Sequence, residues 1–355
     1  MQSDFRAGEY GPVELSGAGG MSAARRANPE MRRRRFLELS LGLAAGGLAA
    51  SAARAEDYPA RVVTLVVPFT PGGSADFLGR IVGDQIAHGL GQPVVIDNRP
   101  GAGGSVGSAV VAKAEPDGYT LLLGHIGTLA FNPSLYPKLP YDPVSSFAPI
   151  SMAARLPNVL VVNPSVPVQS VSELIDYARA HPGELNYSSG GNGSAAHIAM
   201  AAFASAAEID LVHVPYKGTA PGVTDLIGGR VQLTMTGGPA VLPLARAGKL
   251  RALAVSSATR LAAEPELPTI AEAALPGFEA SQWYGIVAPA GTPDPIVQRL
   301  NAAVRQAMAS PEVVTKLASE GADPWLTTPP EFSEIIATDI ARWGQLIRDN
   351  GIQVQ

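Results

Sequence analysis

The side chains able to do chemistry in this sequence are few, and their spacing excludes more than it selects. There are five histidines (His88, His125, His181, His197, His213) and no cysteine. No pair of histidines has a His-x-x-His or His-Glu-x-x-His spacing, so no metal site is expected. Ser194 and His197 stand three apart on an expected helix, a spacing open to a nucleophile–base pair. No acid lies nearby in sequence to orient that imidazole. The plainer reading has Ser194 capping the helix and His197 lining a wall. No serine is read as the nucleophile of a strand-to-helix elbow, and no Gly-x-x-x-x-Gly-Lys-Ser/Thr loop occurs. Gly101-Ala102-Gly103-Gly104-Ser105-Val106 approaches a dinucleotide fingerprint, but Val106 stands at the third glycine and no acid ends the next strand. No cofactor is expected.

What remains is a set of neutral donors on glycine-rich loops: Thr70, Ser74, Ser105, Thr128, Ser188, Ser194, Tyr216 and Thr219. The stretch Leu65–Arg80 shows the design. An aliphatic run is stopped by Pro68 and Pro71, turned by Gly72-Gly73, and followed by a helix that Ser74 or Asp76 can cap. Phe77, Leu78, Ile81, Val82 and Ile86 fall at helical spacing. Backbone N–H groups left unpaired at the positive end of a helix suit a carboxylate or phosphate. Lys217 and Arg99 are the candidates for direct charge pairing, each also explicable as a turn residue. His125 ends an expected strand in Gly124-His125-Ile126-Gly127-Thr128, beside the same edge.

The elements that must hold these loops alternate. Strands are expected at Val62–Val67, Val94–Ile96, Thr120–Leu123, Val159–Val162, Leu185–Ser188, Leu211–Val214, Val231–Met235, Ala252–Val255 and Gly285–Ala288. Helices are expected at Ser170–Ala180, Pro295–Ala309 and Pro330–Asp349. The alternation predicts an α/β fold with mostly parallel sheets. The order strand, glycine loop, helix, strand, glycine loop occurs twice. The loops are Gly72-Gly73-Ser74 and Arg99–Ser105 in the first half, Ser188–Ser194 and Pro215–Thr219 in the second. Ligands bind at the C-terminal strand edges of open α/β sheets, so two such edges face to face would form a cleft between two lobes. Crossovers between lobes are expected near Leu156–Val162 and Ser281–Ala288. That gives one lobe from residues 56–156 with 286–355, and another from 157–285.

The N-terminal residues read differently. Arg32–Arg35 precede an Ala/Gly/Leu run and end at Ala53-Arg54-Ala55, the pattern of a secretory signal peptide cleaved after Ala55. Residues 1–55 are thus a leader with a start at Met31 or Met21. Paired arginines before Phe36-Leu37 fit a twin-arginine signal, with an ordinary secretory leader as the alternative. The whole chain carries a formal charge of −5; without the eight arginines and five acids of 1–55 it carries −8. A mildly acidic chain offers no basic face to nucleic acid. A soluble periplasmic monomer is expected.

Several segments together resemble one family. Val67-Pro68-Phe69-Thr70-Pro71-Gly72-Gly73-Ser74-Ala75-Asp76, Asn98–Ser105, Pro116–Leu122, Tyr187–Ser194, Val214–Pro221, Ala247–Ala254 and Ala288–Pro293 resemble the Bug (TctC) family. These are periplasmic receptors of tripartite tricarboxylate transporters, and the likeness spans the mature chain. It implies a two-lobed, type II-like periplasmic binding protein, not an enzyme, that closes on a small mono- or dicarboxylate and delivers it to membrane permease subunits. Carried over, the resemblance nominates Phe69, Thr70, Gly72, Gly73, Ser74, Asp76 and Ser105 on one lobe, with His125 and Thr128 nearby. On the other lobe it nominates Ser188, Gly190, Gly193, Ser194, His197, Tyr216, Lys217, Gly218 and Thr219. His125, and Thr236-Gly237-Gly238-Pro239, depart from the family pattern at the distal end of the pocket. The competing readings are a ligand sensor for a membrane kinase and an α/β hydrolase using Ser194 and His197.

Overall fold

The computed structural model describes residues 58–349 and 351–352; the expected leader lies outside them. In chain order the strands are β1 (Val63–Val67), β2 (Val94–Asn98), β3 (Thr120–His125), β4 (Phe147–Leu156), β5 (Asn158–Val162) and β6 (Asn186–Ser189). Then come β7 (Val212–Pro215), β8 (Leu233–Gly237), β9 (Arg251–Val255), β10 (Gln282–Pro289) and β11 (Asp323–Pro324). The helices are α1 (Ser74–Leu90), α2 (Ser105–Ala112), α3 (Asn132–Leu135), α4 (Val171–Ala180), α5 (Ala195–Ala207) and α6 (Thr219–Ile227). They continue with α7 (Gly238–Arg246), α8 (Ile270–Ala273), α9 (Asp294–Met308), α10 (Pro311–Ala318) and α11 (Pro329–Asp349). Among the described residues no helix is long and apolar enough to cross a membrane.

The strands form two sheets, one in the order β11-β4-β10-β3-β1-β2 and one in the order β7-β6-β8-β5-β9. Each is the centre of one lobe. β1 is parallel to β2 and β3, and β6 is parallel to β7 and β8, as the alternating pattern predicts. The expectation of mostly parallel sheets needs correction, however. β10 runs antiparallel to β3 and β4, and β5 antiparallel to β8 and β9. β5 has just left the first sheet and β10 has just left the second. The parallel strands point their C-terminal ends at the shared cleft, so a strand arriving from that cleft must run away from it. Antiparallel entry follows, without the helical crossover that a parallel connection requires.

β4 was not expected, and its sequence shows why. Pro149 interrupts the run, and a proline argues against a central strand. In the structure Pro149 pairs with Val287 where the β4–β10 register shifts, so its missing N–H falls at an irregularity. β10 lies wholly in the first sheet from Gln282, ahead of the expected boundary at 285/286. Helix starts follow local chemistry. Ser170 caps α4 by accepting the Glu173 N–H, and Thr269 with Glu272 forms a capping box on α8.

α11 returns to the first sheet on aromatic contacts. Phe332 is fully buried and meets Trp283 edge-on with ring centroids 5.7 Å apart, while Trp343 meets Phe131 at 4.9 Å. The Trp283 indole N–H donates to Asp339 at 2.6 Å, joining the same helix to β10. Phe332→Ala should lower the unfolding free energy by about 3–5 kcal/mol. Urea denaturation checks this, and a loss well under 1 kcal/mol would show that this ring does not anchor α11.

Candidate functional site

Four glycine-capped or hydroxyl-capped helix starts meet between the two sheets. α1 begins after Gly73 and α6 after Gly218, each with no side-chain cap. α7 begins after Gly237, also uncapped, and α5 begins after Ser194, whose Oγ accepts the His197 N–H. Each helix follows the C-terminal end of a strand or its loop, which is how the chain aims four positive helix ends at one place. The cleft there is lined by Phe69, Thr70, Gly73, Ser74, Ala75 and His125 from the first sheet's loops, with Gln282 and Tyr284 from β10. Ser194, Ala195, Ala196, Thr219 and Thr236 line it from the second. No Lys or Arg is among these described lining residues. The residual space is about 20 Å³, roughly one water.

Two hydroxyls in this cleft are anomalous. Thr70 Oγ1 and Ser74 Oγ are buried without a hydrogen-bond partner among the described residues. A buried polar group left unpaired costs about 1–3 kcal/mol, so two of them in one cleft mark donors held ready for something else.

His125 is bound on every side. Its Nδ1 accepts the Gly127 N–H at 3.0 Å, which places the ring proton on Nε2, facing Gln282 Oε1 at 3.1 Å. Tyr284 donates to the same Oε1 at 2.9 Å, and Gln282 Nε2 donates to Asn158 Oδ1 at 2.6 Å. Phe69 meets the imidazole edge-on at 5.2 Å. Burial drives its pKa down from 6.5 to about 4, against the raising effect of the Gln282 bond. His125 therefore lines the cleft as a neutral, fixed ring.

The other expected residues divide by position. Gly72 donates to the Asp76 carboxylate, which also holds Arg80 at 3.0 Å through both oxygens. Burial alone would raise the Asp76 pKa, but bonds from Arg80, Gly72 and Asn98 outweigh it and hold the carboxyl below its usual range. Asp76 thus fixes the loop and is withdrawn from the ligand. Ser105 accepts from Asn132 Nδ2 at 3.1 Å, and Thr128 is closed on the His125 backbone; both lie behind the cleft wall. Ser188 packs toward Gly222 of α6, and Gly190 beside Thr219. Gly193 and Gly218 press on the first lobe, at Asn132 and Thr70. Tyr216 turns out to Asp225 at 2.8 Å, and with exposed Lys217 lines a separate outer groove.

A serine nucleophile finds no support. The Ser194 hydroxyl accepts the backbone N–H of His197 at 3.4 Å, and His197 Nδ1 accepts the Gly193 N–H at 3.2 Å. The ring then stacks on His213 at 4.0 Å, which stacks on Tyr187, with no acid in the set. Gly103-Gly104-Ser105-Val106-Gly107 does spell a Gly-x-Ser-x-Gly elbow, which the sequence reading passed over. Its serine is bound to Asn132 with no histidine against it. Among the described residues no group of His, Cys, Asp and Glu could hold a metal.

Beyond the residues nominated singly, Ala75, Ala195, Ala196, Gln282 and Tyr284 also line the cleft, as does Thr236, which the sequence placed at the distal end of the pocket. Thr236 and the crossover around Tyr284 carried a signal of position only. A larger cavity of about 380 Å³ lies on the opposite face of β10, between Trp283, Trp325 and Trp343. It contains none of the glycine loops, so the smaller cleft is the candidate site.

Known proteins similar to this chain point to one family. The sequence pattern of the "Tripartite tricarboxylate transporter family receptor" matches residues 78–352. Protein BugT of Bordetella pertussis is 40% identical over 318 residues, covering 89% of this chain and 97% of its own. The R. palustris protein Rpa4515, solved with adipate, is 42% identical, covering 84% of this chain and 99% of its own, with a TM-score of 0.82. MatC (Rpa3494) from Rhodopseudomonas palustris, solved with malate, is 35% identical, covering 82% and 100%, with a TM-score of 0.78.

The histidines set a pH dependence. His125 and His197 both have folded pKa values lowered by burial to about 4, against 6.5 for the free side chain. Between those values the unfolded chain binds protons that the native state refuses, so stability falls as pH falls from 6.5 toward 4. Each histidine contributes up to about 1.4 kcal/mol per pH unit in that window. Urea unfolding at pH 7.5, 6 and 5 should show this slope, reduced by one histidine's share in His125→Phe. Equal slopes in the two proteins would mean that His125 titrates in the native state.

Proposed function

This chain belongs to the tripartite tricarboxylate transporter receptor family, whose members are periplasmic solute receptors and not enzymes, and from that premise we propose that it captures a small mono- or dicarboxylate in the cleft between its lobes. The observation that carries this is the pairing of uncapped helix ends with buried, unpartnered Thr70 and Ser74 hydroxyls in a cleft without a cation. A carboxylate accepts from exactly such donors, and helix N-termini supply the compensating positive field. The adipate and malate held by Rpa4515 and MatC support the ligand class.

The residual space is about 20 Å³, so a dicarboxylate enters only when the lobes part, and they close again around it. A ligand touching both α1 and α6 stabilises the closed form because it loses half its partners when the lobes separate. We take the lobes as residues 58–156 with 282–352, and 157–281, since β10 belongs to the first sheet throughout. Export by the leader, action as a monomer and delivery to permease subunits complete the proposal.

Thermal denaturation of residues 56–355 with mono-, di- and tricarboxylates tests the class. A bound acid at one hundred times its Kd should add about 2.7 kcal/mol, a rise of several degrees, lost with its amide. Thr70→Val and Ser74→Ala should each weaken that acid about 5–10-fold by calorimetry. They should leave the ligand-free midpoint unchanged or higher, because each removes an unpaired buried group. No rise with any carboxylate would end the proposal.

A further inference from the structure

The glycines around the cleft press against the opposite lobe. A Cβ on Gly103 would overlap the Asn192 carbonyl oxygen, one on Gly193 would overlap Asn132 Oδ1, and one on Gly218 would overlap Thr70 Oγ1. Those three have positive φ, which by itself calls for glycine in a turn. Gly237 and Gly238 are different. Gly237 has φ −58° and ψ 142°, which any residue adopts, and Gly238 opens α7 without positive φ.

Gly237 has no neighbour within its own lobe that excludes a side chain, and Gly238 meets only the movable end of the Leu242 side chain there, at 2.9 Å. Ser, Thr, Asp or Asn caps a helix better than the bare Gly237, and alanine is preferred to glycine within a helix. The obstacle comes from across the cleft. A Cβ on Gly237 would lie 2.5 Å from Ser74 Oγ, 2.9 Å from Gln282 Nε2 and 3.1 Å from Ser74 Cβ. A Cβ on Gly238 would overlap the backbone oxygen of Glu320, which no rotamer change can move. Ser74 begins α1, Gln282 begins β10, and Glu320 precedes β11, all in the first lobe.

We propose that Gly237 and Gly238 are positioning residues for ligand capture: they lack side chains so that the second lobe can seat against Ser74, Gln282 and Glu320 when the cleft closes. A methyl group at either position leaves each lobe intact and holds the cleft partly open. The ligand then cannot touch both helix ends, and affinity falls with no ligand contact removed.

The chain has no cysteine, so a disulfide can report closure directly. A Cβ on Gly73 would lie 3.4 Å from Thr219 Cβ across the cleft, close to disulfide geometry. Gly73→Cys with Thr219→Cys should therefore cross-link within one molecule under mild copper–phenanthroline oxidation. Adding Gly237→Ala or Gly238→Ala should slow that reaction at least tenfold, while reduced Gly238→Ala melts at an unchanged or higher temperature and Gly237→Ala lower only by the small cost of an alanine cap. Gly228→Ala is the control. Its φ is −76°, and its nearest neighbours, at 3.6 Å, are carbonyl oxygens of its own helix, so the rate should not change.

In the cysteine-free protein, Gly238→Ala should weaken malate at least tenfold by calorimetry. This second readout alone rests on the carboxylate-receptor reading. If the parent protein binds no malate or other acid, that reading fails while the cross-linking still decides the role of the glycines. Rates within twofold of the parent pair for both variants would overturn the proposal. Slowed cross-linking with a lower melting temperature in both would overturn it too, by assigning the glycines to the fold of their own lobe.

Discussion

Two strands cross between the sheets side by side, and the buried amides that satisfy each other there constrain the rest of the structure. Asn158 opens β5 and Gln282 opens β10. Gln282 Nε2 donates to Asn158 Oδ1 at 2.6 Å, Asn158 Nδ2 donates to the Ala280 carbonyl, and the Asn158 N–H donates to Ser256 Oγ at 2.8 Å. Asn158 and Gln282 are both buried, at 1% and 4% exposure. In that environment a mispaired amide costs about as much as several ordinary bonds gain, so only one register of the two crossovers is tolerated. The Gln282 oxygen accepts from His125 and Tyr284, which carries the constraint from the crossover into the cleft wall. The crossovers and the cleft wall are therefore held in one register by the same side chain.

The same reasoning separates what the sequence made legible from what it hid. Aliphatic runs between glycine and proline punctuation located nine of the strands, because burial leaves a local mark, a weaker one in the half-exposed edge strands β2 and β7. Ser194 was legible as a cap, since a cap is written within four residues, whereas Ser74 and Asp76, expected to cap α1, leave that place to Gly73. Thr128 and Tyr216 were legible only as hydroxyls. A hydroxyl shows its chemistry in sequence but not its partner: Thr128 bonds a backbone three residues earlier, and Tyr216 an acid nine residues later. Gln282 could not be found at all, because its role comes from partners 124 and 157 residues away. Gly237 and Gly238 looked like a gap in a familiar motif. Their function is the space they leave, and only the opposite lobe defines that space.

The charges around the cleft are arranged by exclusion. Asp76 is paired with Arg80, Asp225 with Arg230, and Arg99 with Asp97, while Lys217 is exposed at the outer groove, so these charges do not face the cleft. His125 and His197 stay neutral because burial disfavours their charged forms. What faces inward is a set of dipoles fixed by secondary structure. A formal cation would bind an anion more strongly in either lobe alone, and that would weaken the difference between open and closed states. Dipoles act over the first turn of a helix and little further. An anion held this way depends on both lobes being close.

The two orphaned hydroxyls fit that logic and sharpen it. Thr70 and Ser74 remain without partners in a structure that otherwise pairs its buried polar groups with few exceptions. Ser74 lies directly opposite Gly237, so the residue that gives up a hydrogen bond faces the residue that gives up a side chain. Filling the Ser74 deficit within the protein, by a partner on its own lobe, would stabilise the ligand-free closed form. A receptor built that way would close without cargo and lose its ability to report occupancy. Leaving the deficit makes the closed state incomplete until something small and anionic completes it. The selectivity of capture then comes from the unsatisfied groups, and the glycine seam sets how closely the lobes must approach before those groups can be satisfied.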